Sequence, residues 1–411
     1  MQASGENLGG RLKVTKRLRT IGRVGRFCAE MVRGLAEHVG RGDANHPSLV
    51  YRVLEQGCLL ALNGITAEDY YLYELWRPEL CLREKRAFLG DHDNWRWRIA
   101  VNPERYHFLT EDKVVFKRLM KGIGVPVPEL YGVVGPQGRA ESGEPLQTEA
   151  EIRAWFEEGG LQDVFIKPVL GSRGVGVLSL GRRLGRSTWE RLPTGTLGIV
   201  DLLQHFRSYP HLSTYLVEER LIPHPALERF SSRVLHTARV VTLLDGEVEF
   251  LMAELRIGLG LHAGDNVSLG NMAAAINIET GRLGPAFLAK GGNYAEFEVH
   301  PDNGELIVGT EVPDWEVALG IVRNAARNAS FNGLLGWDVA FTAKGPLVIE
   351  ANDMWDPQTQ HTNRKGLLAG PLFDYLRKRG LLGNIGLGIG FRERPALRGE
   401  TSERWNPVSS T

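Results

Sequence analysis

The run GWDVAFTAKGPLVIEAND, residues 336–353, constrains the fold of this chain more than any other stretch. Two apolar segments flank a turn from Thr342 to Pro346 centred on Lys344, which predicts a β-hairpin pairing Asp338 with Glu350 and Phe341 with Leu347. Side chains alternate by face along a strand. Asp338, Glu350 and Asn352 therefore share one face, and Val339, Phe341, Leu347 and Ile349 share the other. Two carboxylates directly opposite each other repel unless something positive lies between them. All three groups on the polar face present oxygens, the donors that Mg²⁺ prefers, and Mg²⁺ usually completes its shell with phosphates. A solvated polar face is the alternative; the run Leu347-Val348-Ile349 argues for a buried strand and so for the metal.

Composition sets broad limits. The 411 residues are 43% hydrophobic and 24% charged, ordinary for a globular protein of two or three structural units. Lys plus Arg and Asp plus Glu are 49 each, so no global field favours nucleic acid or a membrane. Cys28, Cys58 and Cys81 show no metal-ligand spacing and build no disulfide framework, which points to a cytoplasmic protein. No apolar window reaches signal-peptide or membrane-span length. Basic residues crowd Arg11 to Arg26, with Leu18, Ile21, Val24, Phe27 and Met31 at helical spacing. Such a helix either docks on its own domain or makes peripheral contact with an anionic membrane. Oligomeric state is not legible.

Along the chain, the first hundred residues read as mainly helical, with a capping box at Thr66-Ala67-Glu68-Asp69 and a core aromatic cluster of Trp76, Trp95, Trp97 and Tyr106. Thr110 is the expected N-cap of a helix to about Lys121, and Thr148 that of a helix to about Gly160. Further elements are a helix near Leu197–Phe206, a strand Thr214–Glu218, a hairpin Val234–Ile257 turning at Asp245-Gly246, and a helix Trp315–Ser330. Strands mostly in hairpins alternate with helices, which predicts an α+β fold. The expected division is a helical region 1–105, a main domain 106–385 split at 221/222, and a tail 386–411.

Several features suit an anion. Lys167 ends the strand VFIK, and a loop of small residues follows, Gly171-Ser172-Arg173-Gly174-Val175-Gly176. Such a loop exposes backbone N–H groups that cradle phosphate, and a lysine is a compact point charge for it. An ordinary glycine turn is the other reading. Lys113 sits in the first turn of a helix, against the helix dipole, with Lys117 one turn on. Glu218-Glu219-Arg220-Leu221 is either a charged strand end or a hinge whose backbone reads a purine edge. On the long hairpin Thr237, Arg239, Glu254 and Arg256 share a face, opposite Ala238, Val240, Leu251, Ala253 and Leu255. The two arginines suit anionic oxygens, or simply pair with Glu254.

In this order the motifs EDKVVFKRLMKGIGVPVPEL, VFIKPVLGSRGVGV, YLVEERL and GWDVAFTAKGPLVIEAND resemble the ATP-grasp superfamily, from about Tyr106 to Gln360. The stretch SSRVLHTARVVTLL to DNVSLGNMAAAINIETG looks most like its sugar-transfer-associated, α-L-glutamate-ligase-related branch. The resemblance implies two α+β lobes clasping ATP between antiparallel sheets. Lys113 and Lys167 would contact phosphates, with Ser172, Arg173, Gly174 and Gly176 closing over them. Glu218, Glu219 and Leu221 would hold adenine, and His224 stands where an acidic ribose ligand is common. Asp338, Glu350 and Asn352 would hold one or two Mg²⁺, or Mn²⁺. Gly336 stands where many such ligases carry an arginine, a role open to Arg239 or Arg256. The acceptor would lie near Asp265, Asn266 and the stretch Asp353–Gln360. The implied activity is a carboxylate–amine (or thiol) ligase working through an acyl phosphate. A phosphotransferase acting on a sugar or polyol hydroxyl and a non-catalytic nucleotide-binding scaffold are the alternatives. Asp338→Asn or Glu350→Gln is expected to abolish turnover and leave the fold intact, slightly stabilised by relieved repulsion.

Overall fold

The computed structural model describes residues 48–90, 94–171, 174–209, 213–231, 234–259, 270–290 and 293–385. The basic segment Arg11–Met31, Cys28, the side chains of Trp95 and Trp97, Ser172, Arg173, Asp265, Asn266 and the tail 386–411 lie outside the described residues.

Two antiparallel sheets organise the chain, as expected of an α+β fold. The first contains β1 (Leu130–Val134), β2 (Arg139–Ala140), β3 (Val164–Pro168), β4 (Leu178–Gly185), β5 (Thr188–Leu192), β6 (Thr196–Gly198) and β7 (Tyr215–Glu219), in the order β2-β1-β7-β3-β4-β5-β6. The second contains β8 (Thr237–Asp245), β9 (Glu247–Ile257), β10 (Met272–Ile276), β11 (Leu283–Lys290), β12 (Asn293–Phe297), β13 (Leu334–Thr342) and β14 (Gly345–Asn352), in the order β12-β11-β10-β9-β8-β13-β14.

Val164 and Ile166 point into the first sheet's core with Trp189, under the helices Glu149–Glu158 and Ile199–Arg207. Thr148 and Glu151 form the capping box that starts the first of these helices. The second sheet buries Val240, Ala253, Leu255, Trp337 and Val339 beneath the helix Trp315–Asn328. That core also takes Phe116 and Met120 from the helix Lys113–Gly122. The opposite face of the second sheet packs Val241, Met252 and Trp355 against Val101 and the helix Pro371–Lys378. Among the described residues no helix is long and apolar enough to cross a membrane.

The structure amends several expectations. The helix expected from Thr110 is broken: a turn Phe108–Glu111 ends at Asp112, whose extended backbone and side chain cap the helix Lys113–Gly122 by accepting from the Val114 and Val115 amides. Strands β10 to β12 were not apparent because Ala273-Ala274-Ala275 carries little β propensity; pairing between β9 and β11 overrides it. Two bulges shift side chains between faces. In the β8–β9 hairpin the bulge follows Val241, and Leu251 joins Val241 and Met252 rather than Ala253. In the β13–β14 hairpin the bulge follows Asp338, so Phe341 faces Pro346, and Val348 enters the core in place of Leu347 and Ile349. The Asp338–Glu350 pair lies before the bulge and keeps its expected register.

A buried amide helps bolt the N-terminal helices to the second sheet. Asn102 Nδ2 donates to the carbonyls of Leu334 (2.6 Å) and Asp353 (3.1 Å), and its Oδ1 accepts from the Leu334 amide (3.0 Å). Asn102→Ala leaves those backbone groups buried without partners, which predicts a loss of about 2–4 kcal/mol in urea unfolding. A loss under about 1 kcal/mol would show that water replaces the amide.

Candidate active site

Strand β7 carries Glu218 into the interior beside β3, where Phe165 faces Glu218 and Lys167 faces Leu216 across the ladder. Lys167 and Glu218 thus fall on one side, and Lys167 Nζ lies 2.8 Å from Glu218 Oε1. Lys117, from the helix Lys113–Gly122, places its Nζ 2.7 Å from Glu218 Oε2 and also donates to the Pro128 carbonyl. All three groups are buried. Burial pushes the Glu218 pKa up, but the two ammonium groups outweigh it and hold the carboxyl below its usual range. Burial, helped by Lys167, lowers the Lys117 pKa despite its share of Glu218. Lysines sharing one carboxylate this way are immobile point charges.

Lys113, one turn before Lys117, donates from Nζ to the Gly171 carbonyl at the start of the small-residue loop (2.6 Å). Its own amide bonds the Val169 carbonyl, docking the helix start against the end of β3. Burial lowers the Lys113 pKa most, with Glu350 raising it, Lys167 lowering it and Glu218 raising it. Lys113 is therefore within electrostatic reach of both the first sheet's lysine–glutamate cluster and the β13–β14 hairpin. Backbone bonds from Val348 N to Pro126 O and from His224 N to Phe341 O, each 2.9 Å, stitch that hairpin to the segments after the helix and after β7.

On the hairpin itself, Asp338 faces Glu350 on β14 and Arg239 on β8. Arg239 grips it bidentately, Nε to Oδ1 at 2.5 Å and Nη2 to Oδ2 at 3.0 Å, and Arg256 Nη1 adds a contact to Oδ2 at 3.2 Å. Burial raises the Asp338 pKa, yet Arg239 and then Arg256 hold the carboxyl well below the usual range. The repulsion expected between Asp338 and Glu350 is thus offset by two guanidinium groups. The expectation that Asp338→Asn stabilises the fold is corrected accordingly.

Glu350 and Asn352 are half-buried, and Asn352 Nδ2 lies 3.3 Å from Glu350 Oε1. Their oxygens fit a hard cation. Asp338, with three N–H donors on its two oxygens, has room to offer a metal one lone pair at most. Gly336 explains its own lack of a side chain: a Cβ there would lie 2.8 Å from Trp355 Cγ and 3.0 Å from Arg239 Cδ. The stem of Arg239 occupies the space that an arginine at 336 would need.

The segment after β7 is partly committed. The Glu219 and Arg220 amides bond the Glu129 and Asp163 carbonyls (both 2.8 Å), whereas among the described residues the Leu221 amide has no protein acceptor. His224 is half-buried and serves its own turn: Nδ1 accepts from the Ala226 amide at 3.1 Å. Gly174 and Gly176 in the loop have positive φ, a conformation that favours glycine.

His107, which carried no role in the sequence, meets the first residue of the expected acceptor stretch. His107 Nε2 lies 3.4 Å from Asp353 Oδ2, next to Asn352, and burial raises the Asp353 pKa against the pull of His107. The sequence holds no signal for this contact, since the two residues are far apart in the chain. Lys117 as partner of Glu218 was legible only as a helical neighbour of Lys113.

Comparison with known proteins identifies the family. A family model described as sugar-transfer associated ATP-grasp matches residues 93–371. A search of curated proteins finds no match. Solved structures similar to the chain include an L-amino acid ligase from Bacillus licheniformis, 12% identical over 60% of this chain and 40% of that one, with a TM-score of 0.31. VanG D-Ala:D-Ser ligase from Enterococcus faecalis is 16% identical over 66% of this chain and 61% of that one, TM-score 0.36. A biotin carboxylase from Campylobacter jejuni is 14% identical over 68% and 53%, TM-score 0.36. The chain thus spans less than two thirds of the length of each of these relatives.

Glu218→Gln strips the counter-charge from two buried ammonium groups and is expected to cost about 3–5 kcal/mol in chemical denaturation. A cost near zero would mean that Lys117 and Lys167 are not held as described. Asp338 gives a pH test. Its folded pKa lies below the unfolded value of about 3.9, so its contribution is complete above about pH 5 and fades as pH falls towards the folded value. Wild-type stability should therefore drop more steeply between about pH 5 and 3 than that of Asp338→Asn, which starts lower at neutral pH because Arg239 and Arg256 lose their anion. Parallel pH profiles would sink this account.

Proposed function

The chain belongs to the sugar-transfer associated ATP-grasp family, and from that premise we propose that it is an ATP- and Mg²⁺-dependent carboxylate–amine (or thiol) ligase. The observation that carries this reading is the buried Glu218 carboxylate holding the ammonium groups of Lys117 and Lys167 at 2.7 and 2.8 Å, with Lys113 of the same helix donating to the Gly171 carbonyl at the start of the small-residue loop. A triphosphate bound there would meet these cations and, on the second sheet, the oxygens of Glu350 and Asn352.

In this reading Lys113 and Lys167 bind the phosphates, and the loop around Gly174 and Gly176 closes over them. Leu221 offers its free amide, and the strand end at Glu218 and Glu219 its backbone, to adenine. His224, whose Nδ1 accepts from the Ala226 amide, keeps Nε2–H for a ribose hydroxyl. Glu350 and Asn352, with one oxygen of Asp338, hold Mg²⁺, which offsets negative charge on the phosphate oxygens when bound. A substrate carboxylate oxygen attacks the γ-phosphorus, the bond to the bridging oxygen breaks, and ADP leaves. Arg239 and Arg256, fixed by Asp338, steady the equatorial oxygens as charge develops there. The amine nitrogen then attacks the acyl carbon, the C–O bond to phosphate breaks with its electron pair, and the nitrogen gives up a proton. Asp265 and Asn266, with the stretch Asp353–Gln360, are the proposed surroundings of the second substrate.

Hydroxylamine tests the reading. With the right carboxylate, ATP and Mg²⁺, the wild-type chain should yield a hydroxamate together with ADP. ADP with a stable phosphorylated alcohol and no hydroxamate would instead identify a phosphotransferase. Glu350→Gln should cut hydroxamate formation by about 10²-fold or more without a matching loss of thermal stability. Retained activity would remove the hairpin from the metal site.

A further inference from the structure

The segment that follows the metal hairpin is held at successive points by residues from the N-terminal region. Asn102 bonds the Asp353 carbonyl, and His107 faces the Asp353 carboxylate. Arg98 Nη1 donates to the Trp355 carbonyl, and its guanidinium carbon lies 4.8 Å from the centre of the Trp355 ring. Gln360 Oε1 accepts from the Leu89 amide (3.0 Å), while its Nε2 donates to the Leu89 carbonyl (2.9 Å). The Leu368 amide donates to the Ala87 carbonyl at 2.9 Å. As the N-terminal residues run 87, 89, 98, 102 and 107, their partners run 368, 360, 355, 353 and 353. The two segments are laced in opposite directions.

The anchors are buried polar side chains. Gln360 also accepts from the Leu367 amide (3.0 Å) and donates to the Pro357 carbonyl (3.2 Å), so its two donors and two lone pairs are all engaged. A buried polar group satisfied in this way makes its surroundings rigid. Arg98 is the costlier anchor, because burying a guanidinium carries a desolvation penalty that packing alone does not require. What it adds over an apolar side chain is a fixed place for the Trp355 backbone.

That place lies beside the proposed reaction centre. Trp355 is buried with Val101, Val241 and Met252, and its Cβ and Cγ border the same space next to Gly336 as the Arg239 Cδ. Arg239 in turn grips Asp338 with two N–H groups. A line of contact therefore runs from Arg98 through Trp355 to the guanidinium that would steady the transferring phosphoryl group.

We propose that the N-terminal region is a positioning element of the active site and that Arg98 is the residue through which it acts. Arg98 holds Trp355 as a wall that keeps Arg239 in place on Asp338. The inference rests on the reading of Arg239 as a group facing the phosphoryl oxygens, and it gives a role to residues that reading leaves unused. A displacement of about 1 Å near reacting atoms can cost about 100-fold in rate. Losing Arg98 frees one side of Trp355 only, so a smaller effect is expected. An interaction realised in the transition state lowers kcat and leaves KM unchanged.

Steady-state hydroxamate formation by the full chain tests this, with ATP, Mg²⁺ and hydroxylamine. The carboxylate is whichever of acetate, glycolate and the common L- and D-amino acids yields most product. Arg98→Leu keeps bulk and loses the bond to the Trp355 carbonyl; kcat should fall about tenfold, with the KM for ATP within about twofold of wild type. Arg98→Lys retains a donor and should recover to within about threefold of wild type. Glu55→Gln is the control, since Glu55 bonds Lys85, Tyr70 and Tyr51 of the same region and none of these belongs to the lacing. At a temperature where all variants are folded, it should keep kcat within about twofold of wild type. An equal loss in Glu55→Gln, a wild-type kcat in Arg98→Leu, or a lysine no better than the leucine overturns the proposal. If Arg98→Leu does not fold, Trp355→Phe, which shrinks the wall beside Gly336, should show the same fall in kcat at constant KM. A wild-type kcat in Trp355→Phe overturns the proposal as well. ADP release without hydroxamate from the wild type overturns the ligase reading alone, and the variants are then compared on ADP release. A wild-type chain without ATP turnover overturns both.

Discussion

The pairing of Glu218 with Lys117 and Lys167 is the interaction on which the rest of the site depends, because it fixes one ten-residue helix against two sheets. The helix Lys113–Gly122 turns Phe116 and Met120 into the core of the second sheet. One face away, Lys113 and Lys117, four residues apart, address the first sheet. An ion triad with both ammonium groups buried tolerates little displacement, since any gap leaves a desolvated charge unpaired. The helix therefore transmits the position of one sheet to the other, and the distance from Lys167 to the β13–β14 hairpin is set by packing rather than by a linker.

Much of this was legible in the chain. The hairpin 336–353 announced its polar face through strict alternation, and Asp338 does face Glu350. Capping residues placed the helix Glu149–Glu158, and the Asp-Gly turn placed the β8–β9 hairpin. What escaped had physical causes. A bulge depends on how two strands twist together, and nothing in Leu347-Val348-Ile349 says which of the three enters the core. Ala-rich β10 is a strand only because its neighbours are. The role of Glu218 was hidden because its partners come from positions 117 and 167, distant in sequence and joined only by the fold.

Gly336 shows how an apparent defect can be a consequence of packing. With Trp355 and the Arg239 stem pressed on its Cα, no side chain fits. Arg239 and Arg256 reach Asp338 from β8 and β9, and in the proposed reading they supply the cation that the resemblance leads one to expect at 336. Substitution at 336 and truncation at 239 should therefore be read together, as neighbours that share one volume.

The lysine cluster also bears on how an anion finds this protein. The ammonium groups of Lys113, Lys117 and Lys167 gather around Glu218, with Glu350, Asp112 and Glu219 also in electrostatic reach. The chain as a whole is balanced, 49 basic against 49 acidic residues. Beyond a Debye length of about 8 Å in physiological salt, a diffusing polyanion meets an essentially neutral object. Capture is then a short-range event, governed by desolvated contact after collision and not by a field that draws the ligand in. Ionic strength should weigh on how long such a ligand stays far more than on how often it arrives.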